Sequence, residues 1–328
     1  MNIRDCGKVT ISDVDSIVKV NGWVKTIRDH GGISLIDVRD HSGIVQVVVN
    51  GDIGDIKVEA VISVVGKVVM RDESLINSKI STGNIEIVSN NIEVIGKCDS
   101  VPFQVGTEVN EELRLKYRYL DLREGRIRDN IILRSKLLTC IRQCMESMGV
   151  MEFQTPILSS PSPEGARDYV VPSRKNPGKF YALPQAPQLF KQMLMVAAFP
   201  SYYQIAPCFR DEDGRADRTT GEFYQLDMEW AFKTEDEIQE NIRQIIVEIF
   251  LKTGNRLTGP QFRKIPYKQA MEEYGTDKPD LRNHLTITDV TDMFEQTTFA
   301  PFVGKTVRMI LLTGAQNQNK AKSFYEGV

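Results

Sequence analysis

Three residues in the stretch Tyr203–Trp230 could do chemistry together. Arg210 offers a planar cation that can grip a phosphate or a carboxylate through two parallel hydrogen bonds. Glu212 offers a carboxylate able to accept from an exocyclic amine, and Phe223 a ring on which a base can stack. The chain must be built so that they meet. Tyr203–Phe209 and Glu222–Glu229 alternate apolar and polar residues around a loop rich in Gly, Asp and Arg, the pattern of a long-looped antiparallel hairpin. Positions i and i+2 of an extended strand share a face, so Arg210 and Glu212 are expected on one side. Gln225 and Asp227 alternate in the same way on the returning strand. From residue types alone, an ordinary charged hairpin tip is the favoured reading of a lone R-x-E.

The segments before this hairpin add further polar groups. Ser160–Arg174 is a loop by composition and dense in charge. Tyr181–Met195 runs from strand into helix, where Gln188 and Lys191 lie one turn apart and face the same way. Leu189, Phe190, Met193 and Leu194 surround Lys191 in sequence, so its head group is expected to be only partly exposed. The supporting elements follow from periodicity. Asp129–Met148 reads as a helix ended by Gly149, and Val150–Leu158 as a strand containing Pro156. In Thr234–Gly254, Thr234 and Glu237 form a capping box ahead of an apolar face of Ile238, Ile242, Ile245, Ile249 and Phe250. Glu111–Arg126 reads as a charged helix with Leu113, Tyr117 and Leu120 turned inward.

Residues 1–99 differ in kind. Ser16–Val24, Gly32–Val38, Ile44–Val49, Val58–Val68 and Asn84–Val94 are Val/Ile-rich runs separated by Gly, Asp and Asn, which suits a small closed β-barrel such as the OB-fold. A polar cluster with Pro102 makes 100–110 a candidate hinge. The chain has 328 residues with 41% hydrophobic content, ample for two or more domains, and the class is α+β. A net charge of −3 supplies no bulk attraction for nucleic acid, so any RNA contact must come from local patches. No run approaches the roughly 20 apolar residues of a membrane span, and Met1–Thr10 has no apolar signal core. The five cysteines are scattered and lack metal-ligand spacing, which points to free thiols in a reducing cytoplasm and identifies no metal site.

The string F-R-D-E-D…R-A-D-R…E-F-Y-Q-L-D-M-E resembles motif 2 of the class II aminoacyl-tRNA synthetases, and more narrowly their bacterial aspartyl group. S-P-E-G-A-R-D at Ser162–Asp168 resembles that group's mobile loop, and Pro156 the proline of motif 1. Within the first hundred residues, Arg28–Gly32 and Asp37–Val47 are similar to its anticodon-binding barrel. The resemblance implies an aspartate–tRNA ligase that uses ATP and Mg²⁺ and forms aspartyl-adenylate before transfer to tRNA(Asp). By implication Glu164 takes the substrate α-ammonium, with Gly165 permitting loop movement. Gln188, Gln225 and Asp227 complete the aspartate pocket, and Lys191 meets the side-chain carboxylate. Arg210 binds both the ATP α-phosphate and the aspartate carboxylate, and is the catalytic residue. Glu212 and Phe223 read adenine. Arg28, Gln46 and Glu86 face the anticodon, while Leu35 stands where relatives often place a stacking Phe. Motif 1 implies a homodimer.

Two departures shape the remaining expectations. The group's enzymes that charge only tRNA(Asp) tend to have Leu at the position of His30 and Lys at that of Ser74. The residues present instead imply that tRNA(Asn) is also charged. Thr219–Thr220–Gly221 replaces a shorter link at the hairpin tip. No motif 3, no further substrate arginine and no Mg²⁺ carboxylates are recognised after Asp227. The expected domains are therefore a barrel at 1–99, the hinge at 100–110, a catalytic domain with motifs 1 and 2 only at 111–285, and the start of an inserted domain at 286–328. On this view the sequence is the N-terminal portion of a ligase and is inactive by itself. The alternative is a non-catalytic RNA-binding fragment.

Overall fold

The computed structural model describes residues 3–213, 221–254, 257, 259 and 262–312. Backbone contacts divide the chain into two units, Met1–Lys136 and Leu137–Val328.

The first unit is a closed barrel of five strands: β1 (Ile17–Asp29), β2 (Ile33–Arg39), β3 (Ile44–Asn50), β4 (Val61–Met70) and β5 (Ile85–Gly96). Their order is β1-β2-β3-β5-β4, and the pairing of β4 with β1 closes the ring. β3 and β5 run parallel at Val47–Ile87 and Val48–Val88, while the other neighbours in the ring are antiparallel. Alternation fills the interior, interrupted where Gln46 and Ser63 are buried as well. Val18, Val20, Val24, Ile36, Val38, Val45, Val47, Ile62, Val64, Val68, Ile85 and Ile87 are all buried in one cluster. The Val/Ile runs predict each strand to within a few residues.

The segment read as a hinge packs two apolar side chains. Phe103 and Val105 form a small core with Leu120, flanked by Leu113 and Tyr117. The charged stretch expected as one helix is two short ones, Glu111–Lys116 and Arg118–Asp121, broken at Tyr117 with φ −113° and ψ 47°. The i, i+4, i+7 spacing still puts Leu113, Tyr117 and Leu120 on the inner side, which is what the small core requires. Arg39 and Arg123 both grip the buried carboxylate of Glu59 (Arg39 Nη2 at 2.8 and 3.0 Å), and Lys25 and Arg39 both reach Glu124. Arg123 also lies over the Trp23 ring at 5.3 Å.

In the second unit the hairpin is β6 (Ser201–Phe209) paired antiparallel with β7 (Glu222–Trp230). One face is apolar. Tyr203, Ile205, Leu226, Met228 and Trp230 pack on the long helix α1 (Arg126–Ser147) through Ile141, Cys144 and Met145, and on α3 (Glu235–Lys252) through Ile245 and Ile249. α1 starts a turn earlier than expected. It ends on Gly149 at φ 70°, with Gly149 N–H on Glu146 O and Val150 N–H on Met145 O, a Schellman motif. The Thr234–Glu237 capping box of α3 is formed, but Phe250 is exposed rather than part of the apolar face.

Val150–Leu158 is not a continuous strand. Met151 O and Phe153 N–H bond Tyr203, giving one parallel bridge at Glu152, and a second bridge joins Ser159 to Ala182. Pro156 has no N–H to donate between them, so the ladder cannot run through. Beyond α3, a short helix Tyr267–Tyr274 is followed by Ile287–Asp289 paired with Arg308–Ile310. Thr219, Thr220 and the end of the expected inserted domain lie outside the described residues.

Candidate functional site

The other face of the hairpin is polar. Register sets Tyr202 opposite Glu229, Gln204 opposite Asp227, Ala206 opposite Gln225 and Cys208 opposite Phe223. α2 (Gln188–Val196) packs against both strands and presents Lys191 to this face. The Lys191 ammonium is buried, 2.8 Å from Asp227 Oδ1 and 3.3 Å from Glu229 Oε2. Burial alone would lower its pKa. The hydrogen bond and charge of Asp227, followed by those of Glu229, outweigh burial and raise it. An ammonium has three donors, and these two acceptors leave one for an incoming anion.

The strand ends at Phe209, so the same-face expectation for Arg210 and Glu212 does not hold as stated. Arg210 N–H donates to Gly221 O at 2.7 Å, Glu212 N–H donates to Arg210 O at 3.0 Å, and Glu212 is exposed. The guanidinium of Arg210 lies over the Phe223 ring at 5.1 Å, an attraction of cation to π face. Among the described residues, Arg210 Nε and Asp227 Oδ2 are buried atoms without a hydrogen-bond partner. Gly221, at φ 48°, could carry no Cβ without meeting the Tyr169 hydroxyl at 2.5 Å.

Cys208, which the sequence does not single out, sits among these groups. Its thiol donates to Gln225 Oε1 at 3.4 Å. Its pKa is pushed up to about 11, first by burial and then by the charge of Asp227 and more weakly of Glu164, against a lowering by Arg210. Gln225 and Phe223 thus lie beside this thiol and Asp227 beside Lys191 on the same face, while Glu164 is half-buried in the loop ahead of the hairpin. Gln188 is half-buried at the start of α2 and joins none of these pairs among the described contacts. Tyr202, Glu229 and Gln185 escape the sequence: Glu229 is one more strand acid, and Gln185 one amide in a proline-rich connector.

The barrel carries a second polar chain. Arg28 Nη2 donates to Asp37 at 3.0 and 3.1 Å and to Gln46 Oε1 at 3.1 Å, and Gln46 Nε2 donates to Glu86 Oε2 at 3.0 Å. Arg71, also missed, lies 3.7 Å from Glu86 with its Nη2 buried and unpartnered. The sequence-predicted Arg28, Gln46 and Glu86 therefore meet. His30 and Ser74 are exposed and enter no side-chain hydrogen bond with them. The three-residue set Asp5, Asp40 and His41 is the metal-sized group among the described residues, but Asp40 is already hydrogen-bonded by Cys6, Ser42 and Gly43. Among those residues no such set surrounds Arg210. No described helix is long and apolar enough to cross a membrane.

Residues 110–324 match the family model described as tRNA synthetases class II (D, K and N), and residues 18–95 that of the OB-fold nucleic acid binding domain. The aspartate–tRNA(Asp/Asn) ligase of Rickettsia bellii is 49% identical over 309 residues, covering 91% of this chain and 51% of that protein. That of Pelagibacter ubique is 47% identical, covering 98% and 57%. The aspartate–tRNA ligase of Streptomyces griseus is 47% identical, covering 98% and 55%. The chain spans about half the length of the curated relatives it matches. Among solved structures, asparaginyl-tRNA synthetase from Pyrococcus horikoshii in complex with asparaginyl-adenylate superposes with a TM-score of 0.68 at 23% identity, covering 77% of this chain and 58% of that one. That likeness speaks for the fold alone. With both models matched and the barrel and hairpin in place, the chain belongs to the class II tRNA synthetases of the aspartate, lysine and asparagine group, with an OB-fold anticodon-type domain at its N-terminal end.

Proposed function

We propose that this chain carries the amino-acid, nucleotide and anticodon sites of an aspartate–tRNA ligase. The observation that carries the reading is Lys191: a buried ammonium, held by Asp227 and Glu229, with one donor left for a carboxylate. An aspartate side chain would complete the set. Asparagine would bring only a neutral amide oxygen to that donor in place of a charge-assisted bond, the proposed basis for discrimination. Glu164 would take the α-ammonium, with Gln188 and Gln225 lining the pocket. Arg210 would leave the Phe223 ring to bridge the substrate carboxylate and the ATP α-phosphate, freeing the ring for adenine, while Glu212 reads the adenine amine.

The reaction asks little beyond alignment. An ionised carboxylate attacks phosphorus directly, and Arg210 neutralises charge as the two anions approach. No described residues here form a magnesium site, so no step is assigned to that ion. In the barrel, Arg28, Gln46 and Glu86 would meet the anticodon of tRNA(Asp), and His30 with Ser74 would admit that of tRNA(Asn). Each of the last two has a group that both donates and accepts. A homodimer through the Pro156 region and a cytoplasmic setting complete the reading.

Calorimetry tests the pocket: aspartate should bind and asparagine should bind about a hundredfold more weakly or less. Equal affinities would overturn the reading. Anticodon stem-loops ending in C and in U should bind within about tenfold of each other, and His30→Leu with Ser74→Lys should widen the gap. A thousandfold preference for C in the unmutated chain exceeds one base contact of roughly 1–3 kcal/mol and would refute acceptance of tRNA(Asn).

A further inference from the structure

Val170–Pro172, within the segment expected to be loop, is a strand paired with Phe180–Ala182, and the loop ahead of it is held by a side chain from outside. Gln185 is 0% exposed and lies in the connector between Phe180–Ala182 and α2. Its amide makes three hydrogen bonds into the loop. Oε1 accepts from Ala166 N–H at 3.1 Å, and Nε2 donates to Ala166 O at 2.8 Å and to Asp168 Oδ1 at 2.6 Å. Both backbone groups of Ala166 are thus paired by one side chain, much as a neighbouring strand would pair them. A second tie flanks it: Arg167 Nε donates to Asp211 Oδ2 at 2.8 Å, and Asp211 N–H to Arg167 O at 2.9 Å.

The chemistry singles out an amide. Only a group that donates and accepts at once can satisfy Ala166 O, Ala166 N–H and a carboxylate together. A carboxylate in its place could accept from Ala166 N–H but would face both the Ala166 carbonyl and Asp168 without a proton to offer. The position of the clamp matters as well. Glu164 lies two residues before Ala166, separated from it by Gly165 at φ 87° with open space around it. The Gln185 clamp begins directly after this glycine. Past the clamp, the Arg167–Asp211 pair ties the loop to the end of the hairpin's first strand.

We propose that Gln185 is a positioning residue that fixes the closed seat of the Glu164 loop, and so sets affinity for the amino acid's ammonium group without touching the substrate. The proposal rests on the reading of Glu164 given above. Gln185→Glu should weaken aspartate binding about tenfold or more, the scale of one or two charge-assisted hydrogen bonds, and leave ATP binding within about twofold. Amides of residues 164–168 should exchange with solvent faster in the variant. Adding Asp168→Asn offers the introduced carboxylate an amide donor in place of a repelling charge, and should recover at least part of both losses.

Asp168→Ala, which deletes one bond from the loop side and leaves the buried amide alone, should give an intermediate loss even where Gln185→Glu folds poorly. Unchanged exchange at 164–168 in Gln185→Glu, equal weakening of aspartate and ATP, or an Asp168→Ala variant identical to the parent would each overturn the proposal. If the parent chain binds no aspartate, the reading of Glu164 fails, while the exchange measurement still decides whether Gln185 holds the loop.

Discussion

Lys191→Met removes a buried cation that, among the described residues, is paired with two carboxylates. At 2.8 and 3.3 Å, each pair is worth on the order of 5 kcal/mol of attraction at an effective dielectric near 20, most of it offset by the desolvation of the three charges. The net loss is set by what is stranded, since Asp227 Oδ2 already lacks a partner and Asp227 Oδ1 would lose its own. Removing one member of a buried pair costs about 3–5 kcal/mol, and the second unit should lose about that much. Trp230 packs on the α1–α3 cluster and reports its unfolding, so urea denaturation followed by fluorescence in a Trp23→Phe background isolates the effect. The pH dependence has a defined sign. The Lys191 pKa is raised above its ordinary 10.5, so its stabilisation is complete below that value and is lost as pH rises through the higher folded-state value. The variant should lack this part of the alkaline loss and retain the part contributed by Cys208 and Tyr202, whose pKa values burial also raises. In binding, loss of the third donor should weaken aspartate about a hundredfold, near 3 kcal/mol for a charged hydrogen bond, with ATP nearly unaffected. A Met variant as stable as the parent, or one that weakens both ligands alike, would refute the assignment.

Three further outcomes are expected. Glu59→Gln leaves Arg39 and Arg123 facing a neutral acceptor, and should cost the first unit about 3 kcal/mol in the Trp23 signal; a change below about 0.5 kcal/mol would show the network to be idle. The Glu237 carboxylate, held by Lys233 and by the N–H and hydroxyl of Thr234, has its pKa lowered to about 2. Its contribution to α3 is therefore present above about pH 4.5 and lost as pH falls toward 2; protection of the α3 amides should follow that course, and Glu237→Gln should flatten it. Burial pushes the Cys144 and Cys208 thiols up to about 12 and 11, so alkylation at pH 8 followed by peptide mass spectrometry should mark the half-exposed Cys98 first; early labelling of Cys208 would contradict the buried site.

Much of the scaffold was legible because its signals are local. Barrel strands alternate every second residue, α1 and α3 carry a cap or a terminating glycine, and the hairpin is two alternating runs around turn residues. Where local pattern and long-range pairing diverge, the sequence misleads. Val150–Leu158 has strand composition but only Tyr203 and Ala182 to bridge, with Pro156 between them. Arg210 and Glu212 obey an i, i+2 rule only while the strand lasts, and it ends one residue too soon. The partners of Lys191 were out of reach for another reason. Asp227 is read from the sequence as part of the pocket and Glu229 only as the end of a strand run, because nothing local reveals that α2 packs on the hairpin there. Gln185 and the Arg39–Glu59–Arg123 cluster are invisible in the same sense, each joining residues that only the fold brings together.

The two faces of the hairpin differ in what they do for the molecule. The face toward α1 and α3 is filled with Tyr203, Ile205, Leu226, Met228 and Trp230 and supplies the burial that holds the unit together. The opposite face buries Lys191, Gln204 and Cys208 beside a half-buried Asp227, and two polar atoms there have no hydrogen-bond partner among the described residues. Well-packed apolar residues in their place would often be neutral or stabilising, since buried ion pairs seldom repay their desolvation. A charge cluster with unfilled hydrogen-bonding capacity is therefore poor evidence for a structural role and better evidence for a ligand that completes it. The donor left on Lys191 calls for a carboxylate, and Arg210, lying on Phe223 with an unpaired Nε, calls for a second anion beside it. In the proposed reading, an amino acid with two carboxylates, activated by a nucleotide phosphate, would meet both.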